Sequence, residues 1–218
     1  MSKELNAKNN IIQSIICHAR EHCAEDIDKA YEYFWDRNHP DEFLSGTALE
    51  LGFINFEDWL VFDYKVNEAR ETLMDLHVRD NRCQVEEELE VIKKTRDSLM
   101  SLYEVVSVSK DKRVLLKDLL LGGEFDLKDK ALTRGLKKGD IFATRLLNLD
   151  GKYVMSGCVY PYKASLKKKV MAHIDKEFGK YIKNANPNGT MKDFLKEYGD
   201  VFNIFWMNLI LSGLKKED

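Results

Sequence analysis

The sequence predicts an α+β protein: an N-terminal helical region, a small five-stranded bent sheet or barrel, and two C-terminal helices. Three observations carry this. In the first third, apolar residues recur three and four positions apart, the period of a helix with one buried face. Five short β-rich stretches then fall within about 60 residues, separated by close turns. The last stretch returns to helical spacing with a wide apolar stripe. The expected boundaries are a helical region over 1–100, a β-domain over 101–162 and C-terminal helices over 163–218, packed as one compact unit.

Taken in order, Ile12, Ile16, Ala19, Cys23, Ile27, Ala30 and Phe34 predict one long helix from about residue 4 to 36. A second stripe of Ile11, Ile15, His18 and His22 runs beside it. His39 and Pro40 stop the helix, because a residue before proline disfavours helical backbone. Residues 41–54, with Gly46 and Gly52, read as a loop with at most one helical turn. Asn55 reads as the cap of a short helix over 56–64, with Glu57 and Asp58 in its first turn. Trp59, in an apolar setting of Phe56, Leu60, Phe62 and Tyr64, is expected to be buried against the first helix. Further helices are expected over about 67–78 and 84–100.

Strands are expected over 103–108, 114–119, 124–128, 141–147 and 153–160, with Asp150 and Gly151 forming a hairpin turn. One C-terminal helix is expected over about 164–183. The last begins at a Thr190 cap and carries Phe194, Tyr198, Val201, Phe202, Phe205, Trp206 and Leu209 on one broad stripe.

Composition bounds the class. The 218 residues are 44% hydrophobic and 33% charged, which fits a packed core rather than a disordered chain. Three prolines and 12 glycines exclude collagen-like and Pro-rich architectures. No apolar run is long enough to span a membrane, and the N-terminus lacks the apolar core of a signal peptide. The four cysteines, Cys17, Cys23, Cys83 and Cys158, are too scattered for a disulfide framework, so a reducing, cytoplasmic location is expected. The net charge of −3 hides a division along the chain. Residues 1–100 carry 12 Lys and Arg against 22 Asp and Glu, a balance of −10; residues 101–218 carry 22 against 15, a balance of +7.

The first candidate chemistry is His18, Glu21 and His22. Imidazoles four residues apart on a helix lie about 40° from one another and can share a metal ion. The string also fits the H-x-x-E-H pattern of inverted zinc peptidases, in which the glutamate polarises a zinc-bound water. A third ligand would have to come from elsewhere, and the acidic run over 86–90 is the candidate. Cys17 and Cys23 project about 120° apart on a helix and do not complete a cage with the histidines. Cys83 and Cys158 read as small buried apolar groups. Asp58 and Asp63 diverge by about 140° on a helix and read as an N-terminal helix charge and a turn acceptor. No phosphate-binding P-loop, dinucleotide fingerprint or serine nucleophile elbow is present, and no cofactor is expected.

The second candidate is the basic stretch 110–183, with 18 Lys and Arg against 9 Asp and Glu. Lys112, Arg113, Lys137, Lys138, Arg145, Lys152, Lys167, Lys168 and Lys169 are its densest members. Small barrels bind single-stranded nucleic acid by combining such charge with exposed aromatic rings, and Tyr153, Tyr160 and Tyr162 are candidates for stacking. The third candidate is self-association: a two-fold pairing of the last helix would bury Phe202, Phe205, Trp206 and Leu209.

The segment Phe56-Glu-Asp-Trp-Leu-Val-Phe-Asp-Tyr64, with Ser101-Leu-Tyr-Glu-Val-Val106 and the Gly139-Asp140 to Arg145 strand, resembles a group of uncharacterised bacterial proteins. That group shares F-x-D-W-x-x-F-D, S-x-Y-E-V and G-D-x-x-x-x-R segments. Some of its members carry a C-terminal SEC-C type zinc motif, C-x-C-x-x-G, which does not occur in these 218 residues. The resemblance covers roughly residues 50–160. It implies a bacterial cytoplasmic protein and carries over neither zinc ligands nor catalytic residues. The preferred expectation is a non-enzymatic binding or adaptor module that meets RNA or a protein partner through the basic stretch. The alternative is a metal-dependent hydrolase built on His18, Glu21 and His22.

Overall fold

A computed structural model describes residues 3–80 and 86–214. The chain divides into two compact units, Met1–Ser98 and Leu99–Asp218. Among the described residues the first holds helices and no strand: α1 (Lys3–His22), α2 (Ala24–Phe34), α3 (Gly46–Phe62), α4 (Leu73–Arg79) and α5 (Glu86–Thr95). The expected single N-terminal helix is therefore two. Cys23, at φ −136° and ψ 34°, leaves helical geometry. Its N–H closes α1 on the Ala19 carbonyl at 2.7 Å, and its own carbonyl accepts the Asp26 and Ile27 N–H groups that open α2. The apolar positions read from the spacing stay inside on both sides of the break: Ile12, Ile16 and Ala19 on α1, Ala30 and Phe34 on α2.

The loop expected over 41–54 is mostly helix. A 3-10 turn at Pro40–Glu42 leads into α3, which starts at Gly46 and runs through Gly52 to Phe62. Asn55 is thus no cap but a fully buried residue inside α3, and Asp58 is buried in its second half rather than placed in a first turn. Burial of Phe56, Trp59, Leu60, Val61 and Phe62 outweighs the intrinsic preference of glycine for a break. Trp59 is 4% exposed, stacked on Tyr33 of α2 at 5.8 Å and tilted against Phe34 at 5.3 Å. The helix expected from about 67 begins at Leu73 behind a Thr72–Asp75 capping box. Cys83 lies outside the described residues.

The second unit holds five antiparallel strands: β1 (Met100–Ser109), β2 (Arg113–Asp118), β3 (Glu124–Leu127), β4 (Ile141–Leu149) and β5 (Lys152–Tyr162). Their order is β3-β2-β1-β4-β5. Among the described residues no ladder joins β3 to β5, so the sheet is open and the barrel alternative is set aside. It is bent all the same: the rings of Phe125 on β3 and Tyr153 on β5 meet edge-to-face at 4.9 Å. One face gathers Tyr103, Val105, Val114, Leu116, Leu127, Phe142 and Leu146. A short helix, α6 (Leu132–Gly135), and the residue after it bring Leu132 and Leu136 onto that cluster. Opposite Arg145, where the β4–β5 register shifts, β5 bulges at Ser156–Cys158, with Gly157 at φ +112°.

Alternation puts Tyr160 and Tyr162 on the other face, which helices cover. These are α7 (Lys167–Asn184), α8 (Met191–Glu197) and α9 (Val201–Leu214). The predicted Thr190 cap is present, as a capping box with Asp193, but its helix ends at Glu197 and α9 follows as a separate one. The Tyr162 hydroxyl donates to the Phe202 carbonyl at 3.0 Å, Trp206 packs on Tyr160 and Phe205 on Tyr162. Of the four residues expected in a two-fold pairing, Phe202, Phe205 and Trp206 are buried in the single chain and Leu209 is half-buried. No helix among the described residues is long and apolar enough to cross a membrane.

Candidate functional site

The sheet's topology brings distant basic residues to one end. Strand β1 ends in the turn 110–112, and the register sets Ser109 opposite Arg113 and Val114 opposite Leu127. Strand β4 starts at the same end, with Ile141 opposite Glu104 on one side and Tyr162 on the other. The connection carrying α6 is held there too: the Asp111 N–H donates to Thr133 Oγ1 at 3.0 Å, and the Gly139 N–H donates to the Val105 carbonyl at 2.9 Å. Lys110, Lys112, Lys128, Lys130, Lys137 and Lys138 therefore share one rim of the unit, all exposed.

The carboxylates at this end are already engaged. Asp126 pairs with Arg113 at 3.2 Å, Asp111 with Arg134 at 3.5 Å and Glu104 with Lys167 at 2.8 Å. Asp129 accepts the Ala131 N–H at 2.7 Å, and Asp140 accepts the Lys137 N–H at 2.8 Å. None of the rim lysines has an ion pair among the described residues. The rim is a row of exposed ammonium groups; of its carboxylates, Asp111 and Asp126 are paired with arginines, and Asp129 and Asp140 accept backbone N–H groups. Lys168 and Lys169 are exposed on the first turn of α7, beside Lys167.

Two expectations for this surface are corrected. Arg145 is fully buried and cannot contact nucleic acid, since β4 is covered on both faces. Tyr160 and Tyr162 are buried under α9 and cannot stack on bases. Lys152 is exposed but opens β5 just after the β4–β5 turn, at the opposite end of the sheet, and Tyr153 follows it there.

Sequence reasoning missed a buried polar group around Asp118. A single oxygen, Asp118 Oδ1, accepts the Ser101 hydroxyl at 2.8 Å and the Leu120 and Leu121 N–H groups at 2.8 and 2.9 Å. Tyr103, opposite Asp118 in the ladder, has its phenol pKa pushed far up, first by burial and then by the Asp118 charge and hydrogen bond; the Arg145 charge opposes this. Only the β1–β2 register could have exposed the group, because 17 residues separate Ser101 from Asp118.

In the helical unit, ligand atoms of His18, Glu21 and His22 all lie within 4.8 Å of one another. The imidazoles stack with centroids 4.0 Å apart and planes at 25°, and His22 Nδ1 lies 3.1 Å from the His18 carbonyl. A cavity of about 140 Å³ adjoins them, lined also by Cys23, Leu73, His77 and Asp80. The acidic run expected to complete a hydrolase does not join the group among the described side chains. Nor did the spacing point to His77 and Asp80, which a different helix brings to the same cavity.

The family of unknown function DUF7986 matches residues 52–198, about two thirds of the chain. The matched range contains the whole basic rim and leaves out His18, Glu21 and His22. No curated protein and no solved structure matches the chain.

Proposed function

We propose that this chain, which belongs to the DUF7986 family, is a binding module that engages the phosphate backbone of nucleic acid through the basic rim of its β-sheet. The observation that carries the reading is the convergence of the 110–112 turn, the 128–130 segment and the 137–138 turn at one end of the sheet, with the neighbouring carboxylates engaged. A row of ammonium groups exchanges counterions for phosphates, and this supplies sequence-independent affinity. Tyr160 and Tyr162, being buried, supply no stacking surface, and contacts to phosphates alone carry little sequence discrimination.

Fluorescence anisotropy with a labelled RNA oligonucleotide at increasing salt tests the reading. The logarithm of the affinity falls linearly with that of the salt concentration, by about 0.7 per phosphate contact on a single strand. Replacing Lys112, Lys137 and Lys138 together by Glu removes binding, whereas Lys152→Glu, at the opposite end, leaves it in place. No binding at low salt, or an equal loss from Lys152→Glu, overturns the proposal.

A further inference from the structure

We infer that the last turn of α1 is a binding site for a divalent transition-metal ion, with His18, Glu21 and His22 as its protein ligands. Their ligand atoms already lie within 4.8 Å of one another. Donors around a tetrahedral ion of zinc size stand about 3.3 Å apart, so the remaining approach is a small rotation of side chains, of which Glu21 and His22 are exposed and His18 half-buried.

The second observation is the hydrogen bond of His22. A carbonyl oxygen can only accept, so Nδ1 carries the proton that it donates to the His18 carbonyl at 3.1 Å. The tautomer that makes this hydrogen bond leaves the lone pair of Nε2 for a ligand. A ring nitrogen held by a backbone carbonyl is the usual outer support of a metal-ligating histidine, because it fixes the ring and raises the basicity of the other nitrogen.

The location adds to this. α1 ends at His22, and the C-terminal end of a helix carries the negative pole of its dipole, which favours a cation. The Glu21 carboxylate adds a formal negative charge. The neighbouring cavity of about 140 Å³, lined by Cys23, His77 and Asp80, has room for water on the open side of the ion. Two imidazoles and one carboxylate select Zn²⁺, Ni²⁺, Co²⁺ or Cu²⁺ over Mg²⁺ and Ca²⁺, which take oxygen ligands. An ion so held also clamps α1 just before Cys23, where the chain breaks between α1 and α2. The site is independent of the basic rim.

The chelator-stripped 218-residue chain without a histidine tag, titrated with Zn²⁺ by calorimetry and followed by thermal melting, tests the inference. One ion binds per chain, and Tm rises with Zn²⁺ concentration because the ion binds the folded state. His18→Ala with His22→Ala abolishes both effects while leaving the metal-free Tm close to that of the parent. His39→Ala, an exposed histidine elsewhere in the same unit, preserves both. Absence of binding by the parent protein overturns the inference, as does unchanged binding by the double variant.

Discussion

The Trp35 ring lies against α3 at Gly52, so closely that a Cβ placed on the glycine would stand 2.7 Å from Trp35 Cη2 and 3.3 Å from Leu44 Cδ1. Trp35 is fully buried and packed edge-on against Phe34 at 5.0 Å and Phe53 at 6.1 Å, so the ring has little room to retreat. Replacing a mid-helix glycine by alanine ordinarily stabilises a helix by about 1 kcal/mol. Here overpacking reverses the sign, and Gly52→Ala is expected to destabilise by roughly 1–3 kcal/mol. Urea unfolding measures it; a gain in stability would show that the indole is not held against the helix.

Asp118 is the anchor of the β-unit's buried polar group, accepting from Ser101, Leu120 and Leu121 on one oxygen. Asp118→Ala leaves these donors unpaired and is expected to cost about 3 kcal/mol, the scale of hydrogen bonds to a charged group. Asp118→Asn, which keeps a carbonyl oxygen in place, should lose less. Equal losses in chemical denaturation would mean that the charge, and not the acceptor geometry, stabilises the fold.

His173 supplies a pH dependence. Its pKa lies below the ordinary histidine value, first because of burial, and its Nε2 is buried without a hydrogen-bond partner among the described residues. The groups acting on it are Glu177 and the Val201 backbone, which favour the charged ring, and Lys176 and Lys180, which oppose it, with Phe205 packed on the ring at 5.0 Å. The unfolded chain therefore takes up the proton first. The stabilising contribution of neutral His173 is fully present above about pH 6.5 and is lost as pH falls from there through the lower folded value. Tm should drop across that window in the parent protein, and His173→Phe should flatten the drop; an unchanged slope would show that another group titrates.

Some of this molecule is legible in local pattern, because local chemistry decides it. The five strands fall within a few residues of the segments read from β-branched runs and turn signals. Thr190 caps its helix because the hydroxyl-to-Asp193 exchange spans only three residues. Trp59 is inside because Phe56, Leu60, Val61 and Phe62 leave its stretch of α3 apolar on every side.

The sequence by itself therefore determined the α+β class, the strand positions, the helical periods and the excess of positive charge beyond residue 100. Tertiary structure decided which positions are covered, and that depends on partners remote in the chain. Arg145 reads as a surface cation in its own segment, yet it is fully buried because both faces of β4 are covered. Gly52 reads as loop punctuation, yet it lies mid-helix because an indole 17 positions earlier needs the space its side chain would fill. Lys112, Lys137 and Lys152 look alike in composition. Antiparallel register brings the first two to one rim and carries the third to the far end of the sheet, because each reversal of the chain fixes which turns become neighbours.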